Sequence, residues 1–456
     1  MKKQQPSILY LTRTFPPTHA AAGIRADRFV SALIEADYAV TVITAGKSAE
    51  LQQPSPALTV CRIGPDGSLP IQIDKDHLPA WPWWKVSVGP EPDKLFTRAS
   101  FFAAHFFAKN QPLQMTLVSG PPFSLMPIGL QLKELYNIPL VLDLRDAWFT
   151  AMPWPYRNAL QRRQARRFER LCLEQADGVI TATDTLKKHL IDKYQGDLSD
   201  KTITIRHGFD NSPPPDDDKA VDLPILANSD QPFTVTYTGQ LHGVDIASAT
   251  FWHNSFHSWG RLLRKVTLGA RFCDDLNLEW MSPHILLESV ARSCADDEHF
   301  KNNVRLLFVG QRCPQIDNWA ADHNLAGQVF QLGPLPPQTA QAIARQSDLL
   351  VLTLYGIKNC VYHWCVPSKL YAYLGTGKPI LALLPPGEAL DLVIKSGLGF
   401  PATPDNTTEI SIVLLDRYNS FTSGSVDVDP DRDFINQFTA EQQQAKLISN
   451  INSLLK

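Results

Sequence analysis

Lys369 lies in the stretch Val366-Pro-Ser-Lys-Leu-Tyr-Ala-Tyr-Leu-Gly-Thr-Gly-Lys-Pro-Ile-Leu-Ala-Leu383. Its ammonium would sit in the first turn of a helix whose opening amides are free. Amides and cation together make a ready site for a diphosphate. Pro367 suits the start of such a helix, where a missing N–H costs nothing, and Ser368 can cap it. Leu370, Tyr371, Tyr373 and Leu374 form an apolar helical face. Gly375 and Gly377 stop the helix, and Pro379 forbids its restart. Ile380 to Leu384 is a continuous apolar run, as in a parallel strand covered on both faces.

Arg145 and Asp146 are the second pair able to do chemistry. They follow the apolar run Pro139 to Leu144, and ligands of open parallel sheets bind at the carboxyl ends of strands. A structural reading, in which the two cap and pair with each other, stays open. Trp83 and Trp84 fall among Pro79, Pro82 and Pro90, hence in a loop. Loop tryptophans suit sugar stacking or a membrane interface. Phe96, Phe101, Phe102, Phe106 and Phe107 recur at helical spacing and read as core. Arg163, Arg166, Arg167 and Arg170 share a helical face with Arg162 beside it. This is either a solvated face pairing with Glu169 and Glu174 or a contact for anionic lipid or a lipid diphosphate. Cys360 and Cys365 lack a completing His/Cys cluster. Asp216-Asp-Asp218 and Asp427-Val-Asp429 lie in irregular segments, so no metal site is expected.

The elements that must position these residues alternate between strand and helix. Ile8–Leu11, a loop from Thr14, the helix Arg25–Ala36 and Val40–Thr44 make a βαβ opening, which implies a parallel sheet. It lacks G-x-G-x-x-G. Met115–Ser119, a helix to Tyr136, Pro139–Leu144, a basic helix over 155–177, Gly178–Ala182 and Thr202–Arg206 continue the pattern. Asn211 to Pro232 reads as a linker rich in proline and aspartate. Phe233–Thr238, Val304–Gly310, Val329–Leu332, Asp348–Leu354 and Ile380–Leu384 form a second series of strands. A last helix spans Ala440–Leu455.

A chain of 456 residues is long for one core, so two or three domains are expected. Its 44% hydrophobic and 20% charged residues describe an ordinary globular protein. A net charge of −3 argues against nucleic acid as a partner. Seven cysteines without a C-x-x-C pair point to a reducing compartment. No apolar run reaches the ~18 residues of a membrane span. The expectation is a cytoplasmic protein, with peripheral contact to an anionic membrane face as the open alternative.

The stretch around Lys369 resembles the PGKLFEYLASGKPILAL segment of glycosyltransferase family 4 enzymes of the exopolysaccharide and cell-wall type. The loop from Thr14 to Arg25 resembles that family's FPP…GG…R opening. Ser119-Gly-Pro-Pro-Phe-Ser124 and Ile138 to Trp148 match its SGPPFS…IPLVLDLRDAW strings, and His207-Gly-Phe-Asp210 stands where it has PNGFD. The resemblance covers nearly the whole chain except 211–232 and 244–283. It implies an α/β, GT-B fold: two Rossmann-like domains with parallel sheets facing across a cleft. The implied boundaries are 1–210 for the acceptor domain and 233–435 for the donor domain, with an insert at 244–283. The segment 436–456 is expected to pack back on the first domain.

The resemblance further implies a sugar moved from a nucleotide diphosphate sugar to a glycan or lipid-linked acceptor, with retention, in surface polysaccharide or cell-wall synthesis. No tightly bound cofactor is implied. Donor-binding residues would be Gly23, Arg25, Gly239, Gln240, Gly310, Ser368, Lys369 and Leu370. Arg145 and Asp146 would be catalytic, and Trp83, Trp84 and Ser124 would meet the acceptor. Two family acids are missing: Ala372 replaces the glutamate that holds the donor ribose, and Trp364 stands where its partner acid falls. Gln240 stands where basic residues meet the diphosphate. A non-catalytic GT-B scaffold is therefore the alternative. A nucleotide-sugar epimerase would need paired acids, which the sequence does not offer.

Overall fold

The structure is a computed structural model that describes residues 5–73, 79, 94–149, 159–194, 196, 198–211, 232–240, 276–425 and 428–455. Two compact units divide these residues. One runs to His207 and resumes at Glu441, and the other runs from Gly208 to Ala440.

The first unit is built on eight strands: β1 Ser7–Leu11, β2 Ala39–Ala45, β3 Glu50–Ser55, β4 Leu58–Ile63, β5 Leu113–Gly120, β6 Leu140–Leu144, β7 Gly178–Thr181 and β8 Thr202–Thr204. Their order is β3-β4-β2-β1-β5-β6-β7-β8, parallel throughout except for the β3–β4 pair. The chain moves outward from β1 through β2 and β4, then resumes on the other side at β5. The crevice at the carboxyl ends of β1 and β5 is thus the switch point at which such sheets take ligands.

Central strands are apolar on both faces because helices cover both. Ile8, Tyr10, Val42, Leu117 and Val141 pack in one core cluster with Phe29, Val30 and Leu33 of the helix Ala21–Glu35. Leu447 and Ile451, from the helix Ala440–Leu454, complete this cluster. Tyr38 donates to Asn452 Oδ1 at 2.6 Å, and Arg206 N–H donates to Gln443 Oε1 at 2.8 Å. The C-terminal helix therefore closes the first unit's core.

The second unit carries β9 Phe233–Thr238, β11 Val304–Val309, β12 Val329–Gly333, β13 Leu349–Thr353, β15 Ile380–Leu383 and β16 Gly399–Pro401. These form an all-parallel sheet in the order β12-β11-β9-β13-β15-β16. A separate antiparallel pair joins β10 Leu276–Asn277 to β14 Gly356–Ile357. Here the switch point lies between β9 and β13. Alternate residues of β13 and β15 serve opposite faces. Val351, Leu381 and Leu383 pack with Leu287, Val290 and Leu414. Leu350, Leu352, Ile380 and Ala382 pack with Leu370, Tyr371, Leu374 and Val393. The apolar run after Pro379 is thus a strand buried on both sides.

Candidate functional site

In the second unit, three chain segments converge at the carboxyl ends of β9 and β11. β9 ends in Thr238 and passes to Gly239 with φ 118°, which a side chain rarely tolerates. Gly239 N–H donates to Val309 O at 2.8 Å, and Gly310 N–H to Gly333 O at 3.0 Å. A Cβ at Gly310 would stand 2.0 Å from Gly239 O. Only glycine lets these two turns lie against each other.

The third segment is the helix Ser368–Leu374. Tyr373, buried within it, has its hydroxyl 3.0 Å from both the amide and the hydroxyl of Thr238. The helix therefore holds the end of β9 in place. Lys369, one turn earlier, donates to Tyr237 Oη at 2.8 Å, with its Nζ 4.0 Å from that ring's centroid. Tyr237 in turn donates to Gln240 O at 2.8 Å. A Cβ on Gly239 would come within 3.3 Å of Lys369 Nζ. Lys369, Gly239, Gln240 and Gly310 thus belong to one constellation. Burial lowers the Lys369 pKa to about 8, opposed by Tyr373. Burial also raises the Tyr237 hydroxyl to about 12, so it stays neutral. A half-buried ammonium beside two glycine turns is arranged to meet an anion.

Two neighbours of Lys369 do other work. Ser368 is the first helical residue and Pro367 the cap position, with no side-chain hydrogen bond. The serine cap expected from the sequence is absent. Leu370 N–H donates to Pro367 O at 3.0 Å, and the Leu370 side chain is fully buried in the core. Its amide and side chain are both committed. Ala372 is half-buried, and Trp364 is buried beside His363, their rings 6.2 Å apart.

In the first unit, a cavity of about 860 Å³ opens at the carboxyl ends of the central strands. Arg13 and Thr14 follow β1, Ala45 and Gly46 close β2, and Ile63, Gly64 and Pro65 close β4. Pro121 and Pro122 follow β5, Arg145 follows β6, and Phe96 adds an apolar wall. Arg145 N–H donates to Gly120 O at 3.0 Å, and one Nη of its side chain donates to Pro121 O. Asp146 is half-buried, and its carboxyl is pushed above the ordinary range by burial, with Asp143 adding and Arg145 opposing.

Arg25 is placed away from this cavity. Its guanidinium is 1% exposed and meets Asp143 at 2.7 Å, Ile205 O at 2.9 Å and Arg206 O at 3.2 Å. Ser119 donates to the other Asp143 oxygen at 2.7 Å. A buried pair this fully bonded braces β5, β6 and the segment after β8, and no donor atom of Arg25 points to a free phosphate position. A Cβ at Gly23 would meet Thr18 O at 2.7 Å, so this glycine seats the loop after β1 on its helix. Ser124 Oγ lies 2.8 Å from Thr97 Oγ1, beneath the surface. Its hydroxyl is occupied by the protein. Trp83 and Trp84 lie outside the described residues.

Sequence reading missed Arg13, Thr14 and Phe96 as cavity residues, and Tyr237, Thr238 and Tyr373 as supports of Lys369. The strand-end rule that singled out Arg145 applies equally to Arg13, two residues past Leu11.

Residues 21–199 match the family model described as "Glycosyl transferase 4-like domain". No curated protein matches the chain. Among solved structures, the chain is similar to sucrose-phosphate synthase from Thermosynechococcus elongatus, at 15% identity and TM-score 0.63 over 99% of each chain. It is also similar to Anabaena HepE in complex with UDP, at 15% identity and TM-score 0.61, covering 98% of this chain and 100% of that one. WaaG, a glycosyltransferase involved in lipopolysaccharide biosynthesis, aligns at 12% identity and TM-score 0.53 over 98% of each chain. Identities this low speak to the fold, which is GT-B as the sequence motifs implied. The part that matches the family model, residues 21–199, falls within the first unit.

Proposed function

We propose that the protein transfers a sugar from a nucleoside diphosphate sugar to a glycan or lipid-linked acceptor, with retention at the anomeric carbon. The observation that carries this reading is Lys369: a cation of lowered pKa, held by Tyr237 against Gly239 and next to Gly310, at the carboxyl ends of β9 and β11. The glycine turns let a diphosphate approach the backbone closely, and the ammonium meets the charge that builds on it as it leaves. Anabaena HepE, of like fold, is described in complex with UDP-glucose, which supports UDP as the nucleotide.

In the step itself the bond between the anomeric carbon and the diphosphate oxygen breaks. A bond from the acceptor oxygen forms on the same face, and the acceptor proton leaves with the diphosphate. Lys369 stabilises the leaving group, while Gly239, Gln240 and Gly310 shape its seat. Arg145 and Asp146 belong on the acceptor side of this proposal. Arg25 and Gly23 take positioning roles, and surface polysaccharide or cell-wall synthesis is the process that fits.

A second reading, the non-catalytic scaffold, is favoured by buried Trp364 and by Ala372 where the family has acids. A panel of nucleotide sugars with mass-spectrometric detection of released nucleoside diphosphate separates the two. The enzyme turns over at least one donor. A protein that binds UDP but releases none from any donor, with a mixture of glycan acceptors present, is the scaffold.

A further inference from the structure

The cavity of the first unit has a charge pattern that its position does not require. Its lining includes two arginines, Arg13 and Arg145, and no aspartate or glutamate. One Nη of Arg145 is spent on Pro121 O, while its buried Nε has no partner among the described residues. The hydrogen bond to Pro121 orients the plane of the guanidinium. A guanidinium matches a phosphate or carboxylate, and Arg145 lines the cavity. Phe96, Pro121 and Pro122 supply an apolar wall of the kind on which the C–H face of a sugar ring rests. A cavity of about 860 Å³ has room for a sugar and its substituent.

We propose that this cavity takes an anionic sugar acceptor, its phosphate or carboxylate held by Arg145 with Arg13 and its ring set against Phe96 and the two prolines. This deepens the glycosyltransferase reading and rests on it: the acceptor is an acidic sugar rather than a neutral one. Arg145 is thereby a substrate-binding residue, and Asp146, which is not part of the lining, is not asked to hold the anion.

The test uses the full chain carrying Lys369→Met, which removes the second unit's cation so that phosphate binding there does not interfere. Calorimetric titrations compare glucose 6-phosphate, glucuronate, glucose and inorganic phosphate. Glucose 6-phosphate or glucuronate is expected to bind at least tenfold more tightly than glucose and more tightly than inorganic phosphate. Arg145→Gln should remove that preference, and Arg145→Lys, which keeps charge but not the guanidinium, should retain part of it. Circular dichroism melts confirm that the variants are folded. If the first variant is unfolded, Arg13→Gln carries the test and should weaken the acidic sugars alone. Equal affinity for glucose and both acidic sugars, silence toward both acidic sugars, or inorganic phosphate binding as tightly as either, overturns the proposal. UDP titration of the unmodified chain is read separately. Loss of UDP binding with acidic-sugar binding intact counts against the donor site and leaves this one standing.

Discussion

A lysine ammonium with a pKa of about 8 is half discharged at mildly alkaline pH. A bound diphosphate would pull that pKa back up, so binding takes up a proton once the pH exceeds 8. UDP affinity should therefore be flat with respect to this group below pH 8 and fall above it, approaching tenfold per pH unit. Titrations between pH 7 and 9.5 check this, and Lys369→Met should show a lower affinity without that slope. The loss on removing Lys369 is about tenfold or more, since a charge-assisted hydrogen bond contributes ~1.5–3 kcal/mol. The pair Arg25–Asp143 plays a different part. Asp143→Asn leaves a guanidinium buried without its counter-charge, and denaturant melts should record a loss of about 3–5 kcal/mol. Ala372→Glu tests the ribose position. With Ala372 half-buried on its helix, the glutamate should tighten UDP binding by up to about tenfold if it reaches the ribose hydroxyls. Weaker UDP binding together with a lower melting temperature would place the carboxylate in an unpaired, buried position instead.

At the scale of elements, the proposed diphosphate seat rests on the glycine turns after β9 and β11. Gly310→Ala forces a methyl to within 2.0 Å of Gly239 O, so one turn must move. UDP affinity should fall with Gly310→Ala, while the melting temperature drops less than for Asp143→Asn. An unchanged affinity would remove the two turns from the site. In the sequence these glycines were singled out through the family resemblance, and their place directly after apolar strands fits a close backbone approach. The strand Ile380–Leu383 and the helix before it were legible from an unbroken apolar run and a 3.6-residue period. The hairpin β3–β4 was not. Glu50–Ser55 is polar, carries Pro54 and lies at the sheet edge with mostly exposed side chains, so no alternation marks it. The fates of Arg25 and Ser124 were hidden for another reason. Their partners, Asp143 and Thr97, lie 118 and 27 residues away in sequence, and local pattern carries no information about such pairs.

At the scale of the molecule, two parallel α/β units give the GT-B fold, and each presents its residues with chemical potential at the strand ends of its own sheet. The second unit presents the Lys369 ammonium beside two glycine turns, and the first an arginine-lined cavity. If Lys369 meets the phosphate charge as proposed, no divalent ion is required, and transfer should persist in EDTA. Activity that vanishes in chelator and returns with magnesium or manganese would contradict that point. Among the described residues no helix is long and apolar enough to cross a membrane. Five arginines, Arg162, Arg163, Arg166, Arg167 and Arg170, stand exposed along the helix Ala159–Gln175, with Arg170 paired to Glu174 at 2.6 Å. The central claim is that the second unit grips a nucleoside diphosphate through Lys369. It is tested most directly by calorimetric titration of UDP into the full chain and into Lys369→Met at pH 7. A saturable one-to-one isotherm, weakened about tenfold or more in the variant, is the result predicted. No binding to either protein, or equal binding to both, would contradict it.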